Sequence, residues 1–216
     1  MASYVIHIAV AQEINKALNK DKRKLLLGSI APDLSKLIGE TKVKSHFLDS
    51  EHDLIPKLDR FLNQYQEYLN DDFVLGYYIH LYTDYLWFKY FTPKFYKDNT
   101  LKLANGKVIK ATNDIKLNYL YKDYSILNNK VIERYNINIK DFNIENIEIT
   151  DIIKEINIKK IDILIEKTKS FIKEDINEEP NVITIEKIEE FINETVDIVL
   201  KDIIKRKISW FFSTYF

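Results

Sequence analysis

His80 and Asp84 stand four residues apart in the most apolar stretch of this 216-residue chain. On an α-helix that spacing puts both side chains on one face, about 6 Å apart along the axis, so both can reach one ion. Gly76 lies one turn earlier on that face and leaves room for another chain segment or a substrate. Three more residues have the right chemistry. His7 sits in an apolar N-terminal helix pattern, Asp33 closes the turn Gly28-Ser29-Ile30-Ala31-Pro32-Asp33, and His46 sits in Ser45-His46-Phe47. Polar groups are costly to bury alone, so several in apolar settings are expected to meet. Histidine and carboxylate meeting in a dry place is most simply explained by a metal ion.

Each residue alone has a plainer reading. His80 and Asp84 can be a hydrogen-bonded pair that holds a helix. His7 can be a satisfied core histidine. Asp33 can be a cap or turn residue, since Pro-Asp after Gly commonly is. His46 alone would pass for a surface histidine. The chain has no cysteine, which excludes disulfides, thiolate zinc sites and cysteine nucleophiles. No Gly-rich phosphate loop and no nucleophile elbow is present.

The order of these elements adds what the single residues lack. His7, then Gly28-Ser29-Ile30-Ala31-Pro32-Asp33, then His46-Phe47, then Gly76-Tyr77-Tyr78-Ile79-His80-Leu81-Tyr82-Thr83-Asp84 resembles the zinc-dependent phospholipase C family, whose fold the single-strand-specific zinc nucleases share. The ordered motifs cover roughly the first 90 residues, and a looser likeness runs to about Tyr135. The resemblance implies Asp33, His46, His80 and Asp84 as ligands of a central zinc pair, with Asp84 bridging. It implies His7 as the early-helix ligand of a second zinc. It also implies a metal-activated water that attacks a phosphodiester phosphorus, with Asp33 orienting or deprotonating that water. Two departures trim the site. Secreted members begin, once mature, with a tryptophan that binds zinc, and here the first tryptophan is Trp87. Family members also have later histidines, and none follows His80 here. One or two zinc ions, or another divalent metal, are therefore expected.

Rival and accessory positions follow. The dipeptide His52-Asp53 is similar to the signature of the HD-domain phosphohydrolases, which are also helical metal enzymes; its position just before Pro56 favours a capping role. Tyr77 and Tyr82 flank His80 and are expected to line a substrate pocket, or else to pack a core helix. Asp123 is expected either to face the metal cleft and replace part of the missing ligand set, or to be a solvated carboxylate.

The elements that must position these groups are helical. Only four glycines and four prolines punctuate the chain, which favours long helices. Ser3 is a plausible cap for a helix over Tyr4 to Leu18. Short helices and loops are expected over 34–52, an amphipathic helix over Leu54 to Leu69, and a central core helix over Phe73 to Phe91 that starts at Asp71-Asp72. A membrane span competes for the last of these, against which stand His80, Asp84 and the tyrosines. Asn105-Gly106 between apolar flanks predicts a hairpin near residues 100–112. Helices are expected over Asn118 to Tyr135, Thr150 to Ile156, Ile158 to Ile176 and Ile183 to about Ile208. The fold class is thus all-α, a single-domain helical bundle over 1–216 with a small β-hairpin insertion. Its metal core spans 1–135 and a helical extension spans 136–216.

Lys plus Arg is 32 against 33 for Asp plus Glu, a net charge of -1, which gives no support to nucleic-acid binding. No basic segment followed by an apolar core opens the chain, so a cytoplasmic location is expected. Basic residues before Trp210-Phe211-Phe212-Ser213-Thr214-Tyr215-Phe216 mark a candidate membrane-surface element, or a docked terminal helix. The leading expectation is a metal-dependent hydrolase of a small-molecule or lipid phosphoester. A non-catalytic, metal-stabilised binding module of the same fold is the alternative.

Overall fold

Two glycines decide how the site half of the molecule is assembled. Helix α2 (Lys22–Gly28) crosses α6 (Asp72–Leu86). A Cβ on Gly28 would stand 2.1 Å from the carbonyl oxygen of Phe73, and one on Gly76 would stand 2.1 Å from that of Leu25. Backbone therefore packs on backbone at this crossing. The room at Gly76 is filled by a chain segment. One turn beyond Gly76 comes His80, and immediately after Gly28 comes Ser29, so the crossing registers one against the other.

The computed structural model describes residues 1–143, 145, 147–171 and 178–215, with residues 171 and 207–215 as backbone. Helix α1 (Tyr4–Leu18) starts at Ser3, whose side chain accepts from the Ile6 N–H, and ends at Asn19 in the left-handed region. A 3-10 turn over Ala31–Asp33 leads into the short helices α3 (Leu34–Leu37) and α4 (Lys42–Ser45). Helix α5 spans Leu58–Tyr65, shorter than the Leu54–Leu69 expectation. Pro56 explains the late start, because the residue before a proline is pushed out of the helical region; Leu54 is left exposed.

Asp71 caps α6, accepting from the N–H groups of Phe73 and Val74. After Leu86 the helix widens into a π-helical turn over Trp87–Phe91. The hairpin is present with one strand more than expected. β1 (Tyr96–Lys97), β2 (Thr100–Lys102) and β3 (Val108–Lys110) form an antiparallel sheet in that order, with Leu101 opposite Ile109. Helix α7 (Asn113–Tyr135) begins five residues before the expected start, capped by Thr112.

Residues 150–156 are not helical. The Lys154 N–H donates to the Tyr65 hydroxyl (3.2 Å) and the Glu155 carboxylate accepts from it (2.7 Å), so this segment is pinned to α5. Helix α8 covers Ile161–Phe171, and the expected continuation to Ile176 lies outside the described residues. Helix α9 (Ile185–Tyr215) packs on α1, α6 and α7. Phe191, Ile192 and Val199 of α9 belong to the same buried core as α1 and α6, and the Trp87 and Phe191 rings meet edge to face at 5.0 Å. The fold is all-α with a small β insertion. Among the described residues no helix is long and apolar enough to cross a membrane. The side chains of Trp210 to Phe216, the expected membrane-surface element, lie outside the described residues.

Candidate metal centre

The five side chains of the cluster come from four pieces of backbone. α1 supplies His7, the 3-10 turn supplies Asp33, the end of α4 supplies His46, and successive turns of α6 supply His80 and Asp84. Pro32 at the start of the tight turn presets its backbone angle. His46 ends α4 just before Phe47, whose φ of 53° is left-handed. That conformation costs about 1–2 kcal/mol for a non-glycine residue, and it seats the Phe47 ring in the core, 5.3 Å from the Phe61 ring. All five cluster residues are at most 3% exposed, so His46 is no surface histidine.

The five groups form two overlapping triads, His7–His80–Asp84 and Asp33–His46–His80, each with its ligand atoms within 4.8 Å of one another. Either buried group could hold a metal ion. The Nε2 atoms of His46 and His80 are 3.3 Å apart. His46 Nε2 is 3.4 Å from Asp33 Oδ1 and 3.8 Å from Asp84 Oδ2, and His80 Nε2 is also 3.8 Å from Asp84 Oδ2. Nitrogen and oxygen ligands bound at about 2.0–2.1 Å around one tetrahedral ion stand roughly 3.3 Å from each other. The separations are therefore close to those of a single ion's ligand shell. On the other side, Asp84 Oδ1 is 3.4 Å from His7 Nε2 and accepts the Ala2 N–H at 3.1 Å. Asp84 thus presents one oxygen to each half of the cluster.

Supporting groups orient the rings. His80 Nδ1 lies 2.8 Å from the Ser29 carbonyl oxygen. A carbonyl only accepts, so Nδ1 carries the hydrogen and the Nε2 lone pair faces the cluster. Ser45 Oγ lies 3.0 Å from His46 Nδ1. The Tyr77 hydroxyl donates to the Ser45 carbonyl at 2.5 Å, steadying the backbone beside His46. His7 stacks on His80 with ring centroids 3.8 Å apart. Both ring nitrogens of His7, and Asp33 Oδ2, are buried without a hydrogen-bond partner among the described residues. Orphaned nitrogens and a carboxylate oxygen are what an ion's ligands look like when only protein atoms are counted.

The electrostatics agree. Burial alone would raise the Asp33 carboxyl, but Lys42, His46 and His80 hold it well below the usual carboxylate range. Burial acts the same way on Asp84, and His7 overcomes it, so Asp84 too stays ionised. Burial pushes His46 and His80 down, helped by Lys42 at His46 and by His7 at His80, so both rings stay neutral and keep their lone pairs. Lys42 already offsets the charge of Asp33, so the negative charge left for an added cation beside neutral His46 and His80 is that of Asp84.

Lysines are what sequence reasoning missed. The Lys42 ammonium contacts Asp33 Oδ1 and lies 3.4 Å from His46 Nε2. Its signal was present: Lys42 precedes His46 by four residues, one helical turn. A cleft of about 450 Å³ opens on His46 and Asp84, with Lys36, Lys42 and Lys116 in its walls. A second opening of about 300 Å³ reaches Asp33 from the side of Tyr124 and Asn128.

Three expected site residues lie elsewhere. Tyr77 is fully buried and stacks on Phe61 at 5.7 Å, so it supports the site from within the core and lines no cleft. Tyr82 packs between Tyr78 and Tyr85 and lines a separate aromatic groove against α9. Asp123 is neither solvated nor turned to the metal cluster. It is fully buried, and its two oxygens accept the N–H groups of Asn181 (2.6 Å), Val182 (2.7 Å) and Ile183 (2.9 Å), plus the Asn181 side chain (3.2 Å). Three consecutive N–H groups ahead of α9 needed an acceptor, and Asp123 supplies it. His52 is exposed and has no contact with the cluster; its N–H donates to Ser50 Oγ at 3.3 Å. No family model, curated protein or solved structure matches this chain.

Proposed function

We propose that the protein is a metal-dependent hydrolase of a phosphoester, built on a trimmed version of the zinc-dependent phospholipase C centre. One observation carries this reading: five metal-ligand side chains from four backbone segments converge in a buried cluster whose polar atoms include three that no group among the described residues satisfies. His46, His80, Asp33 and Asp84 would hold one ion. His80 has a single free lone pair, so it serves that ion alone, and His7 with the other oxygen of Asp84 offers a weaker second position. A nitrogen and oxygen donor set without thiolate suits zinc and also admits manganese or iron. A divalent ion at this place supplies a water of lowered pKa and positive charge against a phosphoryl transition state.

The chain's own residues would do the rest. Asp33 Oδ2 has no partner among the described residues and is the group to orient and deprotonate a water. Lys36, Lys42 and Lys116 line the cleft beside Glu51, Asp53 and Asp84, so individual ammonium groups, and not a net field, are what an anionic phosphoester would meet there. The test is metal analysis after purification without chelators, followed by a zinc- and manganese-supplemented screen of phosphodiesters, phosphomonoesters and phospholipids on wild type and Asp84→Asn. Bound metal, with turnover that Asp84→Asn abolishes, is expected. A protein that takes up no metal, and whose melting point zinc leaves unchanged, would sink the reading.

A second reading, a non-catalytic module of the same fold, is favoured by one contact. The Lys42 ammonium already neutralises Asp33 from within the chain. In a hydrolase, Lys42→Met leaves metal uptake intact or tighter, because a competing cation is removed. In a module closed by this ion pair, the same change lowers the melting point and brings no metal in.

A further inference from the structure

Lys116, in the first turn of α7, is only 4% exposed. No carboxylate among the described residues pairs with it; its ammonium stands 4.4 Å over the Tyr96 ring instead. A ring face replaces part of the lost hydration of an ammonium and none of the missing opposite charge. A buried cation left in that state is a place for an anion to bind. Lys116 lies in the wall of the cleft of about 450 Å³ that opens on His46 and Asp84, and also of an adjoining cleft of about 440 Å³ that Tyr96 lines; the two share Phe88 and Asn113. The other two lysines of the first cleft are engaged, Lys42 by Asp33 and Lys36 by the Tyr121 hydroxyl at 3.4 Å. Glu51 and Asp53 also line the cleft, and neither pairs with Lys116. Val43, Leu48, Phe88 and Leu117 give it an apolar stretch of wall. A cleft of this size that combines apolar wall with convergent charged groups has the form of a small-molecule site.

We propose that Lys116 selects the substrate, taking the negative charge of a phosphoester whose other substituent is an apolar or aromatic group lying against Phe88 and Leu117. This deepens the hydrolase reading and rests on it for what happens at His46 and Asp84. The binding step itself needs no metal. A free anion such as inorganic phosphate would meet Lys116 and leave the apolar wall uncovered, so it binds less tightly than a phosphoester that covers both.

Calorimetric titration with phenyl phosphate and with inorganic phosphate tests this on chelator-treated and on zinc-loaded full-length protein. Wild type is expected to prefer phenyl phosphate in both metal states. Lys116→Met is expected to weaken phenyl phosphate at least tenfold with metal content unchanged, and Lys116→Arg to restore most of the affinity. Equal binding by Lys116→Met, equal affinity of wild type for the two probes, or no binding in either state overturns the proposal. Should Lys116→Met fail to fold, acetylation of Lys116 in wild type decides instead: phenyl phosphate is expected to protect the amine, and no protection overturns the proposal. A wild type that takes up no metal but binds phenyl phosphate through Lys116 refutes the hydrolase and leaves this inference standing.

Discussion

Asp84 and Asp123 are both buried carboxylates on core helices, and their surroundings differ in one respect. Asp123 is saturated: four N–H groups converge on its two oxygens. Asp84 accepts one backbone N–H and otherwise faces histidine nitrogens at 3.4 and 3.8 Å. Burial alone thus separates neither a structural acid from a functional one nor a cap from a ligand. What separates them is whether the chain itself completes the hydrogen bonding. Where it does, the carboxylate holds a loop. Where it does not, the carboxylate could serve as a ligand.

The contrast breaks most directly at Asp123. Asp123→Ala leaves three buried backbone donors without an acceptor and should cost about 3–5 kcal/mol, with metal content unchanged; urea denaturation and metal analysis read the two effects separately. Loss of metal in this variant would erase the distinction. At the other carboxylate the prediction runs through the ion. Zinc at a thousand times its dissociation constant should stabilise wild type by about 4 kcal/mol and Asp84→Asn hardly at all, as thermal denaturation with and without a chelator will show.

The glycine crossing sharpens the comparison from the backbone side. Gly76→Ala forces a methyl against the Leu25 carbonyl, which should cost about 1–3 kcal/mol as overpacking, and it moves Ser29 away from His80. Its metal affinity should therefore fall along with its stability, whereas an equally destabilising change far from the crossing should lower stability alone.

Acid should act on the metal-free cluster in one direction. The folded-state pKa values of His46, His80, Asp33 and Asp84 all lie below their ordinary ones. The unfolded chain therefore binds more protons, and stability is present at high pH and lost as pH falls. The histidines begin this loss near their ordinary pKa of about 6.5 and the carboxylates add to it below about 4, each unit of depression being worth ~1.4 kcal/mol. Denaturation midpoints that rise between pH 7 and pH 5 would contradict the neutral-histidine assignment. The smallest effect belongs to His52→Ala, which should change stability by no more than ~0.5 kcal/mol and leave metal uptake alone.

Much of this was legible in the chain itself. Ser3, Asp71 and the Gly76–His80–Asp84 spacing announce helices, because caps and faces are local properties. Asn105-Gly106 announces a hairpin for the same reason. The five cluster residues were legible as types in apolar surroundings, and the family resemblance put them in order. The Ile-rich run over 150–156 misled because an isolated apolar stretch does not reveal that Tyr65 takes its backbone and side-chain groups. For Asp123 the sequence offered solvation or the metal cleft and the structure shows neither, and for Tyr77 and Tyr82 it left pocket and core packing both open, because nothing in sequence says which way such a side chain turns.

By itself, then, the sequence determined most of the helices, the small hairpin and the five residues able to bind a metal, all set by short-range spacing and by the cost of burying polar groups. Only the tertiary structure decided the rest. The crossing at Gly28 and Gly76 sets His80 on Ser29, Lys42 lies against Asp33, Asp123 is spent on the chain ahead of α9, and Lys116 is buried with no carboxylate paired to it among the described residues. Each of these depends on which distant backbone arrives to satisfy or orphan a polar atom, and that is a property of packing between segments far apart in the chain.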